Sequence, residues 1–370
     1  MKKILLASTA MVAAAAFALT GCSGESRGGT SGGSGDASAA AGFDASSLIG
    51  VALPDKTSEN WVLAGDLFTN GLKDAGFESD VQYAGASNAV ADQQQQISTM
   101  VTNGAKVIII GAKDGSQLGT QVQQAKDAGA VVIAYDRLIL NTEAVDYYVA
   151  FDNFKVGQLQ GQALLDGLAA KFPDQKNYNV ELFAGSPDDA NAKVFWDGAL
   201  DVLQPKIDDG TLKVVSGQTD FKQAVTQGWK PENAQSRMDT LMQGSYQSET
   251  INGVLSPNDT LARAIITSVK AAGQEVPVVT GQDSEVESVK SIVAGEQYST
   301  IYKDTRALVD EAIKMTQSLQ KGEEPTVNDT ESYDNGSKVV PADLLAPVIV
   351  TKENAAEAYA NNPDLLKLTK

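Results

Sequence analysis

The chain has 370 residues, 42% of them hydrophobic, with 29 lysines and arginines against 47 aspartates and glutamates, one cysteine and no histidine. That length suits two domains better than one, and a formal charge of −18 argues against nucleic acid or an anionic membrane face as the main partner. Without histidine there is no Ser-His-Asp triad, histidine base or histidine metal site. A lone cysteine allows neither an intrachain disulfide nor a thiolate cluster. No metal and no cofactor is expected.

The first segment reads as an export signal. Lys2 and Lys3 precede "ILLASTAMVAAAAFA", an apolar run too short and too rich in small residues for a membrane span. It closes on "LTGC", which resembles the bacterial lipobox, so residues 1–21 are expected to be a lipoprotein signal peptide and Cys22 the lipidated residue. An ordinary secretory signal with an incidental cysteine is the plainer alternative. Residues 22–46 are then the anchored cysteine and a tether of Gly, Ser and Ala that has almost nothing to bury. The sequence thus predicts an extracytoplasmic protein on the cell membrane, at the surface or in the periplasm, held by acyl chains worth about 0.8 kcal/mol per buried CH₂.

From residue 48 short apolar runs alternate with segments of helical period. "LIGVALP" reads as a strand, Trp61 to Ala75 as a helix, "DVQYAG" as a strand and Val90 to Thr102 as a helix. "KVIIIGA", a helix reaching Gly129, and the strand opening "VVIAYDRLIL" follow. After residue 154 the scheme repeats: helix 154–170, "NVELFAG", helix 192–203, "LKVVSG", helix 233–247, "INGVLS", helix 259–272, "PVVTGQ". Such repetition predicts parallel sheets with right-handed crossovers, in two similar α/β lobes of about five units each. The end departs from it, with a strand in "YSTIYKDT", a helix over 306–321 and an extended return in "VVPADLLAPVIVT". A late helix that fills out the first lobe would make both lobes discontinuous in sequence.

Polar clusters end the strands. Asp136-Arg137, "GSPDDANA" (185–192), "SPND" (256–259) and "GQDSE" (281–285) each stand at a carboxyl end, where open α/β sheets bind ligands. An internal ion pair or a helix-capping aspartate would explain any one of them alone. Trp61 opens a helix and Trp229 sits in the polar stretch "TQGWKPENAQ". A pyranose, with apolar C–H faces and a rim of hydroxyls, suits indoles against its faces and Asp, Asn, Arg and Lys around its edge.

The stretches "AYDRLI", "FDNFKVGQLQGQ", "ELFAGSPDDANAKVF", "TGQDSEVESVKSIVAGEQ" and "YKDTRAL" resemble the xylose-binding and multiple-sugar-binding periplasmic proteins across residues 48–350. The resemblance implies a periplasmic binding protein type I fold: two Rossmann-like, doubly wound lobes joined by three crossovers in a Venus flytrap. It places the crossovers near Asp152-Asn153, Lys303-Asp304 and Ala346-Pro347. The first lobe would take residues 47–153 and 304–345, the second 154–303 and 346–370. Trp61 and Trp229 would sandwich an aldose ring. Asp136 and Arg137 would hold hydroxyls and the ring oxygen from the first lobe, and Asp189, Asn191, Asn258, Asp283 and Lys303 from the second lobe and the hinge. Asn60 stands where such relatives carry arginine, which bears on the identity of the sugar.

The function implied is capture of a monosaccharide of the xylose, glucose, galactose or arabinose class, delivered by a monomer to an ABC permease and ATPase complex. An enzyme lacks support, because Asp188 and Asp189 are adjacent and cannot flank a glycosidic bond, and "GAKDGSQLG" lacks the ending of a phosphate loop. A repressor with this sensor fold would begin with a DNA-binding helix-turn-helix. A receptor for a signalling furanose or a cyclitol, or one presenting sugar to a chemotaxis protein, is the alternative.

Overall fold

Side chains alternate across a strand, and the first sheet shows what that dictates. In β3 (Val107–Ile110) every residue is buried, with Ile108 and Ile110 packing to one face and Val107 and Ile109 to the other. A strand covered on both faces reads as an unbroken apolar run, which is why the sequence signal is so plain here. Burying each such side chain contributes about 1.5–3 kcal/mol.

The structure, a computed structural model, describes residues 42–56 and 58–370. The expected signal peptide, Cys22 and all but the end of the tether lie outside the described residues. β1 (Leu48–Leu53), β2 (Glu78–Tyr83), β3, β4 (Val131–Tyr135) and β5 (Tyr147–Phe151) form one parallel sheet with β11 (Ala342–Leu345), in the order β11-β5-β4-β3-β1-β2. A second parallel sheet has the order β7-β6-β8-β9, from β6 (Tyr178–Leu182), β7 (Leu212–Val214), β8 (Gly253–Leu255) and β9 (Val278–Val279). Both orders reverse direction at their first strand, and that reversal opens a crevice at the carboxyl ends.

Helices α1 (Glu59–Asp74), α2 (Ala89–Thr102) and α3 (Gly119–Asp127) cover the first sheet, and helix Thr305–Gln320 packs beside α1. α4 (Asn153–Lys171) and α5 (Ala190–Asp208) pack on each other beneath the second sheet, and helices Pro231–Gln243 and Asp259–Ala271 cover its other face. The contact between α4 and α5 runs through glycines: a Cβ at Gly157 would overlap the carbonyl oxygen of Phe195, and one at Gly198 that of Phe154. This close approach sets α5, whose first turn faces the crevice.

Three features differ from the sequence reading. The parallel pairing expected of the βαβ repetition does not extend to the departing end of the chain, where β10 (Ser299–Tyr302) and β12 (Val348–Thr351) pair antiparallel. One leads out of the second lobe and the other leads back, so they run in opposite directions. The sheets are also unequal, with six strands and four in place of about five each, because β11 returns to the first sheet. Finally, β5 and helix Val286–Ala294 are elements the apolar pattern did not announce.

Candidate functional site

β4 ends in a γ-turn. Asp136 has φ 62° and the N–H of Arg137 donates to the carbonyl of Tyr135 at 2.7 Å. This positive-φ turn is rare and strained for a residue with a side chain. It is held from three sides: Asp136 N donates to Val149 O at 2.8 Å, and Asp136 O accepts from Tyr148 Oη at 2.7 Å and Asn191 Nδ2 at 2.9 Å. The turn sends the side chains of Asp136 and Arg137 into a cavity between the two sheets. Trp229 (φ 56°) and Asp283 (φ 96°) enter the same cavity from left-handed conformations. Each such residue costs about 1–3 kcal/mol, and three around one cavity are a marker of function.

The cavity has a volume of about 90 Å³. A water needs on the order of 10–15 Å³ by that measure, so the space fits several water-sized groups, the scale of a small polar molecule. Asn60, Trp61, Asp136, Arg137, Asp189, Asn191, Trp229, Asn258, Asp283 and Lys303 all line it. The sequence thus named ten residues that the fold brings to one place.

Their roles within it differ. Asp189 Oδ1 caps α5 by accepting from Asn191 N at 2.9 Å, while Oδ2 accepts from Trp229 Nε1 at 3.0 Å and stands 3.1 Å from Arg137 Nε. That last pair is an ion pair by distance, with an angle short of a hydrogen bond. The helix cap and the cavity group are one residue. Arg137 therefore pairs with Asp189 and not with its neighbour Asp136, and its guanidinium carbon also lies 5.4 Å from the Trp61 ring. Asn191 spends its amide on Asp136 O and, at 3.3 Å, Tyr148 Oη. Asn258 caps helix Asp259–Ala271 through Oδ1 to Leu261 N at 3.0 Å, and its amide nitrogen has no hydrogen-bond partner among the described residues.

Each indole is seated against a glycine at a strand's carboxyl end. A Cβ on Gly111, just past β3, would come within 2.9 Å of the Trp61 ring, and one on Gly185, past β6, would overlap the Trp229 ring. The two lobes thus use the same device.

Four carboxylates and three cations line the cavity. Lys113 pairs with Asp55 at 2.9 Å, Arg137 with Asp189 at 3.1 Å and Lys303 with Asp283 at 3.0 Å, so Asp136 is the one without an ion pair among the described residues. Burial pushes its carboxyl above the ordinary aspartate range, against the opposing pull of Lys303 and Arg137. Burial alone would lower Lys303, but Asp283 and Asp136 outweigh it and hold the ammonium above its ordinary value. The sequence reading missed Asp55 and Lys113, together with Phe195 and Gln282. Asp55 and Lys113 follow β1 and β3, so the carboxyl-end rule that singled out the other clusters also reaches them.

No group of three or more metal-ligating acids occurs among the described residues, and no described helix is long and apolar enough to cross a membrane. Residues 49–324 match the periplasmic binding protein domain. The chain is 49% identical over 312 residues to the multiple sugar-binding periplasmic receptor ChvE of Rhizobium radiobacter, covering 83% of this chain and 87% of that protein. It is 36% identical to the D-xylose-binding periplasmic protein of Escherichia coli, covering 83% and 87%. Among solved structures, an ABC transporter solute-binding protein from Clostridium phytofermentans with bound β-D-glucose superposes with a TM-score of 0.81 at 42% identity, covering 86% of this chain and 99% of that one.

Proposed function

The chain belongs to the periplasmic binding proteins and shares their type I fold, and from that premise we propose that it captures a monosaccharide between its lobes and hands it to an ABC sugar transporter. It is a solute-binding protein and not an enzyme. One observation carries the choice of ligand. Two indoles, one from each lobe, line a small cavity whose wall also carries three ion pairs and the lone Asp136. Apolar ring faces and a dense polar rim match a pyranose. The relatives named for sugars, and the glucose held by the Clostridium protein, support the same class.

In this reading Trp61 and Trp229 cover the ring, and Asp136 and Asp283 accept from hydroxyls. Arg137, Lys303, Asn258 and Asn60 donate, while Asp189 and Asn191 position the others. The lobes divide at 153/154, 303/304 and 345/346, and the ligand favours the closed arrangement because its contacts come from both. Cys22 anchors a monomer to the membrane through "LTGC", leaving the folded body on a tether. D-xylose and D-glucose are the candidate sugars.

Isothermal titration of the mature chain with xylose, glucose, galactose and arabinose tests the ligand. Saturable binding of at least one, with no turnover, is expected; heats of dilution alone for all four reject it. Mass spectrometry of the membrane-bound protein tests the anchor, which fails if Cys22 carries a free thiol.

A further inference from the structure

No sequence motif assigns the pair Asp55–Lys113. The two residues follow β1 and β3, the strands on either side of the reversal in the first sheet. Their spacing is fixed from behind by Gln93, which is fully buried: Nε2 donates to Gly111 O at 2.7 Å and Ala52 O at 3.3 Å, and Oε1 accepts from Lys113 N at 2.9 Å. One glutamine thus ties both strand ends together. Lys113 Nζ then reaches Asp55 Oδ2 at 2.9 Å, with its side chain only 18% exposed and in the wall beside Asn60 and Trp61.

An ammonium has three N–H donors. Asp55 takes one, and among the described residues no other acceptor takes a second from Lys113. A cation this sheltered with donors to spare is arranged for something that enters the cavity. In the monosaccharide reading the ring oxygen and ring hydroxyls of a pyranose are assigned to the other two ion pairs together with Asp136, Asn60 and Asn258. A pentopyranose has no further oxygen. A hexopyranose adds one exocyclic hydroxymethyl group, and that group needs one more polar contact.

We infer that the Asp55–Lys113 pair recognises the exocyclic hydroxymethyl of an aldohexose, with Lys113 donating to its oxygen, and so selects D-glucose-type ligands over D-xylose-type ones. The inference rests on the monosaccharide reading above. D-Glucose and D-xylose isolate it cleanly, since they differ only in that group.

The test is calorimetric titration of both sugars into wild type, Lys113→Met and the double variant Asp55→Asn/Lys113→Met. Wild type should prefer glucose. Lys113→Met should lose at least about tenfold in glucose affinity and less than about twofold in xylose affinity, as expected for one charge-assisted hydrogen bond removed from one ligand only. The single change removes the ammonium that Asp55 meets at 2.9 Å. The double variant removes both charges together, should keep the wild-type circular dichroism, and should show the same glucose-selective loss. Equal losses for the two sugars, no loss for either, or a wild type that prefers xylose overturns the inference. Wild type that binds no aldose at all fails differently, and takes the monosaccharide reading with it.

Discussion

Trp229 donates its indole N–H to Asp189 Oδ2 at 3.0 Å, and the other oxygen of that carboxylate caps α5. Asp189 therefore links a helix terminus, an aromatic wall and, through the ion pair at 3.1 Å, the guanidinium of Arg137 from the other lobe. Its importance is positional. Asp189→Ala should cost roughly a hundredfold or more in sugar affinity, because it releases Trp229 and strands a largely buried cation at once. It should also lower stability by about 1 kcal/mol through the lost cap. Titration and tryptophan emission check this, and affinity within about twofold of wild type would show that neither indole nor guanidinium depends on Asp189.

The seating glycines give a graded test. Gly185→Ala puts a methyl group into the Trp229 ring, whereas Gly111→Ala brings one to 2.9 Å from Trp61, which a small shift relieves. Both positions are buried at strand ends, where the first group a new methyl meets is a cavity indole, so the fold should persist in both. Overpacking of this kind costs about 1–3 kcal/mol where nothing can yield. Gly185→Ala should therefore lose at least about tenfold in affinity, and Gly111→Ala distinctly less. The reverse ranking would mean that Trp229 moves freely and does not form a wall.

Why so much of this was legible follows from the same physics. β1, β3 and β4 are buried on both faces, so their apolar runs stand out, and polar residues just after them have no place in the core. That contrast exposed Asp136 and Arg137 after β4, and the buried ends of β6, β8 and β9 did the same for Asp189, Asn258 and Asp283. β5 was hidden because "DYYVAF" mixes aromatic and polar residues and follows the irregular stretch 138–146 without a helix between. Helix Val286–Ala294 was hidden inside a motif read for its aspartate. Asp55 and Lys113 were passed over although each has a charged neighbour, Lys56 and Asp114, because "GAKDGSQLG" was weighed only as a phosphate loop. The pairing of Arg137 with Asp189 instead of Asp136 depends on how two lobes meet, and no local pattern encodes that.

Asp136 lets stability and affinity be separated. Burial raises its carboxyl above the unfolded value of about 3.8, so between the two values the native state holds more protons than the unfolded chain. The stability from this group therefore declines as pH rises through the native value and returns on acidification. Asparagine tolerates the left-handed backbone and carries no charge. Asp136→Asn should thus melt above wild type at neutral pH when ligand-free, with the gap closing as pH falls. It should also lose at least about tenfold in sugar affinity, since an acceptor oxygen becomes an N–H. Melting curves across that pH range decide it, and a variant less stable than wild type at neutral pH would make the Asp136 charge structural.

The last prediction concerns closure. Glu59, exposed in the first turn of α1, accepts from the backbone N–H of Val286 at 3.2 Å, at the start of helix Val286–Ala294 in the other lobe. A carboxylate at a helix N-terminus is favoured by the helix dipole, by about 0.3–1 kcal/mol at an exposed site. Glu59 does not line the cavity, although its neighbours Asn60 and Trp61 do. Its contact exists only while the lobes are together, so it stabilises the closed state without touching the ligand. Glu59→Gln should raise the sugar dissociation rate about two- to fivefold and leave the association rate and the ranking of sugars unchanged. The increase should shrink in high salt, where the interaction of an exposed charge is screened. Stopped-flow tryptophan fluorescence resolves both rates. A change in sugar ranking would place Glu59 among the ligand contacts, and an unchanged dissociation rate would show that the lobes close without it.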